Sequence, residues 1–235
     1  MMFTRMRQYL LGKNYGSFFI EFCILVLGVY LSLQANEWQI NREYRALEYQ
    51  YLERLNNDLE KSHNTLNDNI QRIESSLEKL AFGLAILSQE IRDKQGHQKV
   101  FDALQSSSIT GSFTVFLGTF EELKDTGYMR LIDSTEIRES LGNIWQKKVS
   151  ISQISEIRNL LRSNTFPVMA KYIKPIEGNK ITFDSELVEQ GSRELYVAMS
   201  IIRTNLQNDL SDSKALLDLI NHSLSLINEE IHVKR

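Results

Sequence analysis

Proline is nearly absent from this chain, with only Pro167 and Pro175 in 235 residues, and glycine appears just eleven times. A sandwich or barrel of short strands needs a turn about every ten residues. The scarcity of turn formers therefore excludes turn-dense β architectures and favours helices. Cysteine occurs once, as Cys23, so no intrachain disulfide can form, and its place inside an apolar run suits no nucleophile. The four histidines, His63, His97, His222 and His232, lack the close spacing to Cys or carboxylates that a zinc site requires. Neither a glycine-rich phosphate loop nor a G-x-S-x-G elbow is present. No enzyme, metal or cofactor is expected.

What is present is one long apolar run. From Ser17 to Leu33 the only departures are Glu21 and the small residues Ser17, Gly28 and Ser32. Seventeen helical residues span roughly 26 Å, just under a hydrocarbon core, and continuation to Trp38 completes a membrane helix over 17–38 with an interfacial indole. A basic segment, residues 1–16, precedes it, as in a signal peptide. However, the sequence leads straight into a helical pattern with no small-x-small cleavage site, so a retained anchor is expected. Seven-residue spacing puts Glu21, Gly28 and Ala35 on one helix face, with Ser32 four residues after Gly28. Gly28-x-x-x-Ser32 is a small-x-x-x-small pattern that permits close helix approach. An ionised Glu21 facing lipid would be costly, so it either snorkels to the interface or faces a partner or water, and the latter requires self-association.

After Trp38 the pattern stays helical until Pro167. Leu66, Ile70, Ile73, Leu77, Leu80, Leu84, Leu87 and Ile91 step by three and four, a coiled-coil seam extended upstream by Leu52, Leu55 and Leu59. An irregularity falls at Ser62 and His63, where His63 is expected in the seam. Asp93 to Gly96 predicts the end of this helix, which is assigned to 39–95. Met199, Ile202, Leu206, Leu210, Leu217, Ile220, Leu224, Ile227 and Ile231 repeat the pattern in a C-terminal helix over 188–235. The two stripes pair either as an antiparallel hairpin within the chain or in parallel between subunits. Between them, 96–187 reads as a helical soluble domain. It holds a loop at 106–112, a two-turn helix with Thr119 and Glu122 at capping-box spacing and Gly127 as its stop, and a helix from Asp133 toward Arg162. The prolines break the chain next, before a loop containing Gly178 and Asn179. The expected fold class is all-α: one transmembrane helix continuing into a long coiled-coil-like helix, a helical soluble domain, and a long C-terminal helix packing back.

Charge is unevenly spread although the net value is only -3. Residues 128–180 carry nine basic against five acidic side chains, between two acidic segments. Arg130, Arg138, Lys147, Lys148, Arg158, Arg162, Lys171, Lys174 and Lys180 make up this basic island, with Trp145, Phe166 and Tyr172 as nearby aromatics. Cations with aromatics grip single-stranded nucleic acid by phosphate neutralisation and stacking. The first eight cations are accordingly candidate anion-binding residues, although such an island is also common on a solvated face.

Two segments carry a resemblance. Glu21…Leu25-Val26-Leu27-Gly28-Val29…Leu31…Leu33-Gln34…Asn36…Trp38 resembles the N-terminus of a family of bacterial single-pass membrane proteins, with Ile20 standing where the family pattern has Gly. Thr119-Phe120-Glu121-Glu122-Leu123-Lys124-Asp125-Thr126-Gly127-Tyr128-Met129-Arg130-Leu131-Ile132 is similar to that family's aromatic-x-x-Leu-x-x-x-Gly…Leu-Ile segment. Among such proteins the chain looks most like the membrane effectors of the Hailong anti-phage system. That resemblance implies a homo-oligomeric channel, expected as a tetramer, in contact with membrane lipid. It would be held closed by a single-stranded DNA oligomer that a partner nucleotidyltransferase makes. Charges flanking the apolar run are balanced, Arg5, Arg7 and Lys13 against Arg42, Arg45 and Arg54. The amino terminus tips this rule toward a large domain outside the cytoplasm. The resemblance requires the opposite, a bacterial inner-membrane protein with a cytoplasmic domain, and that is the expectation adopted. The competing reading is a membrane-anchored coiled-coil scaffold that recruits a partner protein and conducts nothing.

Overall fold

The structure, a computed structural model, describes residues 15–88, 94–107, 114–176 and 180–234. The basic segment before Tyr15, most of the expected 106–112 loop, Ile91, Asp93, Gly178 and Asn179 lie outside the described residues. The helices are α1 (Tyr15–Ser88), α2 (Lys94–Ser107), α3 (Gly118–Asp125), α4 (Thr135–Ala170) and α5 (Ser185–Lys234). A 3-10 turn covers Tyr128–Leu131, and a two-stranded antiparallel ribbon, β1 (Ile173–Ile176) with β2 (Lys180–Phe183), joins α4 to α5. The all-α architecture is thus observed, with this ribbon as the one addition among the described residues.

The chain divides into two units, one ending at Gln50 and the other starting at Tyr51. The first contains the apolar part of α1. Phe19, Ile20, Phe22, Ile24, Leu25, Leu27, Val29, Tyr30, Leu31 and Leu33 are all exposed there, on every face of the helix. This stretch of α1 is long and apolar enough to cross a membrane. Trp38 is exposed, and the Arg42 guanidinium lies 5.7 Å from its ring centroid, a cation-aromatic pair suited to a headgroup layer.

The second unit is a bundle with two apolar clusters. Leu52, Leu55, Leu59 and Leu66 of α1 pack with Phe120 and Leu123 of α3, Ile137, Leu141 and Ile144 of α4, and Leu216, Ile220 and Ile227 of α5. Farther along α1, Ile73, Leu80 and Leu87 pack with Val100, Ala103 and Leu104 of α2, Met169 of α4, and Leu195, Met199, Ile202 and Leu206 of α5. Residue numbers rise along α1 as they fall along α5, so these two helices pair antiparallel within the chain. A Lys214 to Glu74 ion pair at 2.7 Å ties them on the outside.

The seam of α1 differs from the expected one. It contains Ser62, Asn69, Ser76 and the buried Gly83 at strict seven-residue spacing, alternating with Leu59, Leu66, Ile73, Leu80 and Leu87. His63 is only half-buried and contacts Asn64, because Ser62 occupies the seam position. The Ser62 hydroxyl accepts from the Phe116 amide at 2.8 Å and faces its carbonyl at 3.2 Å, which satisfies the extended segment laid across the helix. Ile70 and Leu84 are buried as well, so the contact face is wider than a two-stranded seam. More than one helix covers it.

Several helix boundaries shift for physical reasons. The described part of α1 extends to Ser88, and Gly96 lies buried inside α2 rather than acting as a stop. Helix α3 has no capping box. The Asp58 carboxylate of α1 accepts from Thr119 N at 3.0 Å and from its hydroxyl at 2.8 Å, so the cap comes from across the bundle. Gly127 does stop it, with φ +75, a conformation costly for other residues. Ser134, one residue after the expected Asp133, caps α4 by accepting from Ile137 N. α4 then runs through Pro167 to Ala170. The one backbone bond lost to Pro167 falls on an exposed turn near the helix end, where water can take its place.

Candidate functional site

In the apolar stretch of α1, Glu21, Gly28, Ser32 and Ala35 are all exposed. The Ser32 hydroxyl donates to the Gly28 carbonyl at 2.8 Å, so its polarity is satisfied by its own helix and needs no neighbour. A Cβ added at Gly28 would meet nothing within 4 Å. The glycine therefore answers to no contact inside this chain, and what it offers is a flat patch open to another helix. Glu21 is the acidic group of this face.

The described cations of the basic island do not gather on one exposed surface. On α4 the positions at heptad spacing run Ile137, Leu141, Ile144, Lys148, Ile151, Ser155, Arg158, Arg162, Thr165 and Met169, so the helix turns cations inward along its middle. Arg158 donates to Asp209 at 2.7 Å and to Asp212 at 2.9 Å, and Arg162 donates to Asp209. Lys147 reaches Asp212 at 2.8 Å, and Lys148 reaches Glu121 at 3.1 Å. Arg162 and Asp209 are almost wholly enclosed, with side chains 3% and 2% exposed. Lys171 pairs with Glu194 at 3.2 Å on the surface, and Lys174 pairs with the buried Asp184. Arg138 spends its guanidinium on the carbonyls of Ile132 and Asp133 and on the Thr135 hydroxyl, closing the turn before α4. Arg130 remains exposed at the 3-10 turn. Six of the eight expected ligand cations thus already have carboxylate partners.

The aromatics do not gather either. Trp145 packs on the first apolar cluster under the Lys124 ammonium, Tyr172 is buried in the second, and Phe166 is exposed. The sequence reading saw the positive charges but not their acidic partners. Asp209 and Asp212 lie some fifty residues further along, and only their i, i+3 spacing on one helix face signalled them. Among the described residues no set of His, Cys, Asp or Glu gathers to hold a metal ion.

Electrostatics agree with the pairing. Burial disfavours the Asp212 carboxylate, but hydrogen bonds and charge from Lys147 and Arg158 outweigh it and hold the carboxyl below the ordinary aspartate range. Glu122 is likewise held low, first by Arg54 and then by the Tyr51 hydroxyl, which donates at 3.0 Å. A carboxylate with a lower pKa in the folded state stabilises the fold above its unfolded value and loses that contribution as pH falls through the folded value. Stability should therefore stay level from pH 7 to about 5 and decline below about pH 4. Asp212→Asn should flatten part of that decline. Thermal unfolding followed by circular dichroism between pH 7 and 3 measures both, and stability that holds or rises toward pH 3 would contradict the pairing.

No family profile, no curated protein and no solved structure matches this chain. The functional reading rests on its own residues and on the motif resemblance.

Proposed function

We propose that the protein is an oligomeric single-pass membrane effector whose α1 helices line an ion path. Its setting would be the bacterial inner membrane in anti-phage defence, with the bundle on the cytoplasmic side. The observation that carries this reading is Glu21, a carboxylate on a helix face whose surroundings are apolar and exposed, one step along the same face from the open Gly28. Facing lipid, an ionised Glu21 costs several kcal/mol. In a ring of copies it faces water instead. Orientation and biological setting come from the motif resemblance. The closing DNA oligomer belongs to the same proposal, and it would have to compete with the carboxylates that now hold Lys147, Lys148, Arg158 and Arg162.

Those same pairs favour the second reading, a membrane-anchored scaffold, because a bundle with its cations internally neutralised needs no anionic ligand. Ion flux through liposomes holding the purified full chain separates the two. Wild type should conduct, Glu21→Gln should lower the flux about tenfold or more, and short single-stranded DNA should suppress it. Inserted, oligomeric protein that passes no ions under any of these conditions leaves the scaffold as the reading.

A further inference from the structure

Outside the apolar run of α1, the far half of α4 carries an apolar stripe that no described residue covers. Ile154, Ile157 and Leu161 step by three and four, joined by Leu160, and all four are exposed, Ile157 to 60% and Leu160 to 63%. Their exposed fractions leave roughly 300 Å² of apolar surface, the size of the largest patch on many solvated monomers. The charge pattern around the stripe is equally uneven. Residues 149–170 hold only three charged side chains, and two of them, Arg158 and Arg162, are turned inward to Asp209 and Asp212. Glu156 is thus the one charge on the outer side of a stretch of 22 residues, in a chain that is 24% charged. Depletion of charge at an apolar centre marks the core of a protein interface.

We infer that this stripe is where a second copy of the chain docks outside the membrane. Nothing about the stripe selects a partner by sign of charge, whereas an uncharged stripe of Ile and Leu at coiled-coil spacing is complementary to itself. Its area supplies the core of an interface of about 800 Å² per partner. Anchoring in one bilayer confines copies to rotation about the membrane normal and raises their effective concentration, so a contact too small to hold free monomers suffices. This contact relies on membrane anchoring and not on conduction. It can stand if the pore reading fails.

Site-specific cross-linking tests it, with the full chain in liposomes and Cys23→Ser as the background. Ile157→Cys and Leu161→Cys should each form a covalent dimer on mild oxidation, at least about tenfold more than Ser211→Cys on the exposed side of α5. Adding Ile157→Glu to the Leu161→Cys protein should remove its cross-link, because the stripe then meets itself with like charges. No dimer at either position, equal cross-linking at Ser211, or a cross-link that survives Ile157→Glu would each overturn the inference. Helicity by circular dichroism checks that the glutamate variant is folded. A cross-link without ion flux removes the pore and keeps this interface, and flux without a cross-link does the reverse.

Discussion

Asp209→Ala should destabilise the bundle by about 3–5 kcal/mol, in the upper range for a single substitution. Asp209 accepts from Arg158 and from Arg162 at the α4–α5 seam, and its carboxylate and the Arg162 side chain are almost completely enclosed. Without it Arg162 becomes a buried charge with no counter-ion, and Asp212 is left to neutralise both Lys147 and Arg158. The cost arises from the stranded cation and not from the loss of a favourable bond, since a buried ion pair is of small net worth once desolvation is counted. The Arg162 Nε and Asn205 Nδ2 atoms are buried without hydrogen-bond partners, which makes this part of the seam less favourable still. The double variant Arg162→Met with Asp209→Leu should consequently lie within about 2 kcal/mol of wild type, because Arg158 keeps Asp212. Urea unfolding of the detergent-solubilised protein, read by circular dichroism, measures all three proteins. If the double variant is as unstable as Asp209→Ala, the stranded-charge account is wrong.

The second large effect is expected at Gly83. A Cβ built there would sit 2.6 Å from the Ala103 Cβ and 3.0 Å from the Met199 Cε. The methionine end can swing aside, but the Ala103 Cβ is fixed to the backbone of α2, so the two helices must separate. Gly83→Leu should cost about 3 kcal/mol or more by overpacking. Gly83→Ala should cost less, since alanine recovers up to about 1 kcal/mol of helix propensity that glycine forgoes. Ala103→Gly clears the opposing methyl. Combined with Gly83→Ala it should return most of the lost stability, with a coupling of about 1–2 kcal/mol in a double-mutant cycle. Additive behaviour of these two changes would show that α1 and α2 do not approach through this pair.

Both sites were only half legible in advance. The local pattern around Leu80 and Leu84 gives Gly83 no special mark, and nothing nearby in sequence marks Ala103 as the residue that excludes a methyl there. Asp209 and Asp212 were visible as acidic residues of a C-terminal acidic segment, and Arg158 and Arg162 as part of a basic one. Their facing arrangement depends on the antiparallel packing of α4 against α5, which the Ser140–Ser223 hydroxyl contact and the Lys147–Asp212 pair now place in register. The ribbon between those helices, Ile173 against Phe183 through Ile176 against Lys180, has no counterpart in the expected helical domain. Strands of four residues interrupted by Pro175 give too short a pattern to recognise.

Periodicity and composition alone settled that this chain is helical, that one stretch of α1 is long and apolar enough to span a bilayer, and that two long helices carry matching stripes. These follow from local terms, the three-and-four spacing of Leu and Ile and the rarity of Pro and Gly, which act along one segment at a time. The tertiary structure alone decided which side of each helix is the seam. Ser76, Asp209 and Ser223 are buried at seam positions beside Leu77, Leu210 and Leu224, which the sequence pattern had placed in the seam and which are only half-buried. It also decided that the cations of α4 face inward. A side chain's direction is set by the groups on other helices that receive it, and a carboxylate fifty residues distant leaves no mark on the local pattern. The hydrophobic period records how much of a helix is covered, while the identity of what covers it is a property of the assembled bundle.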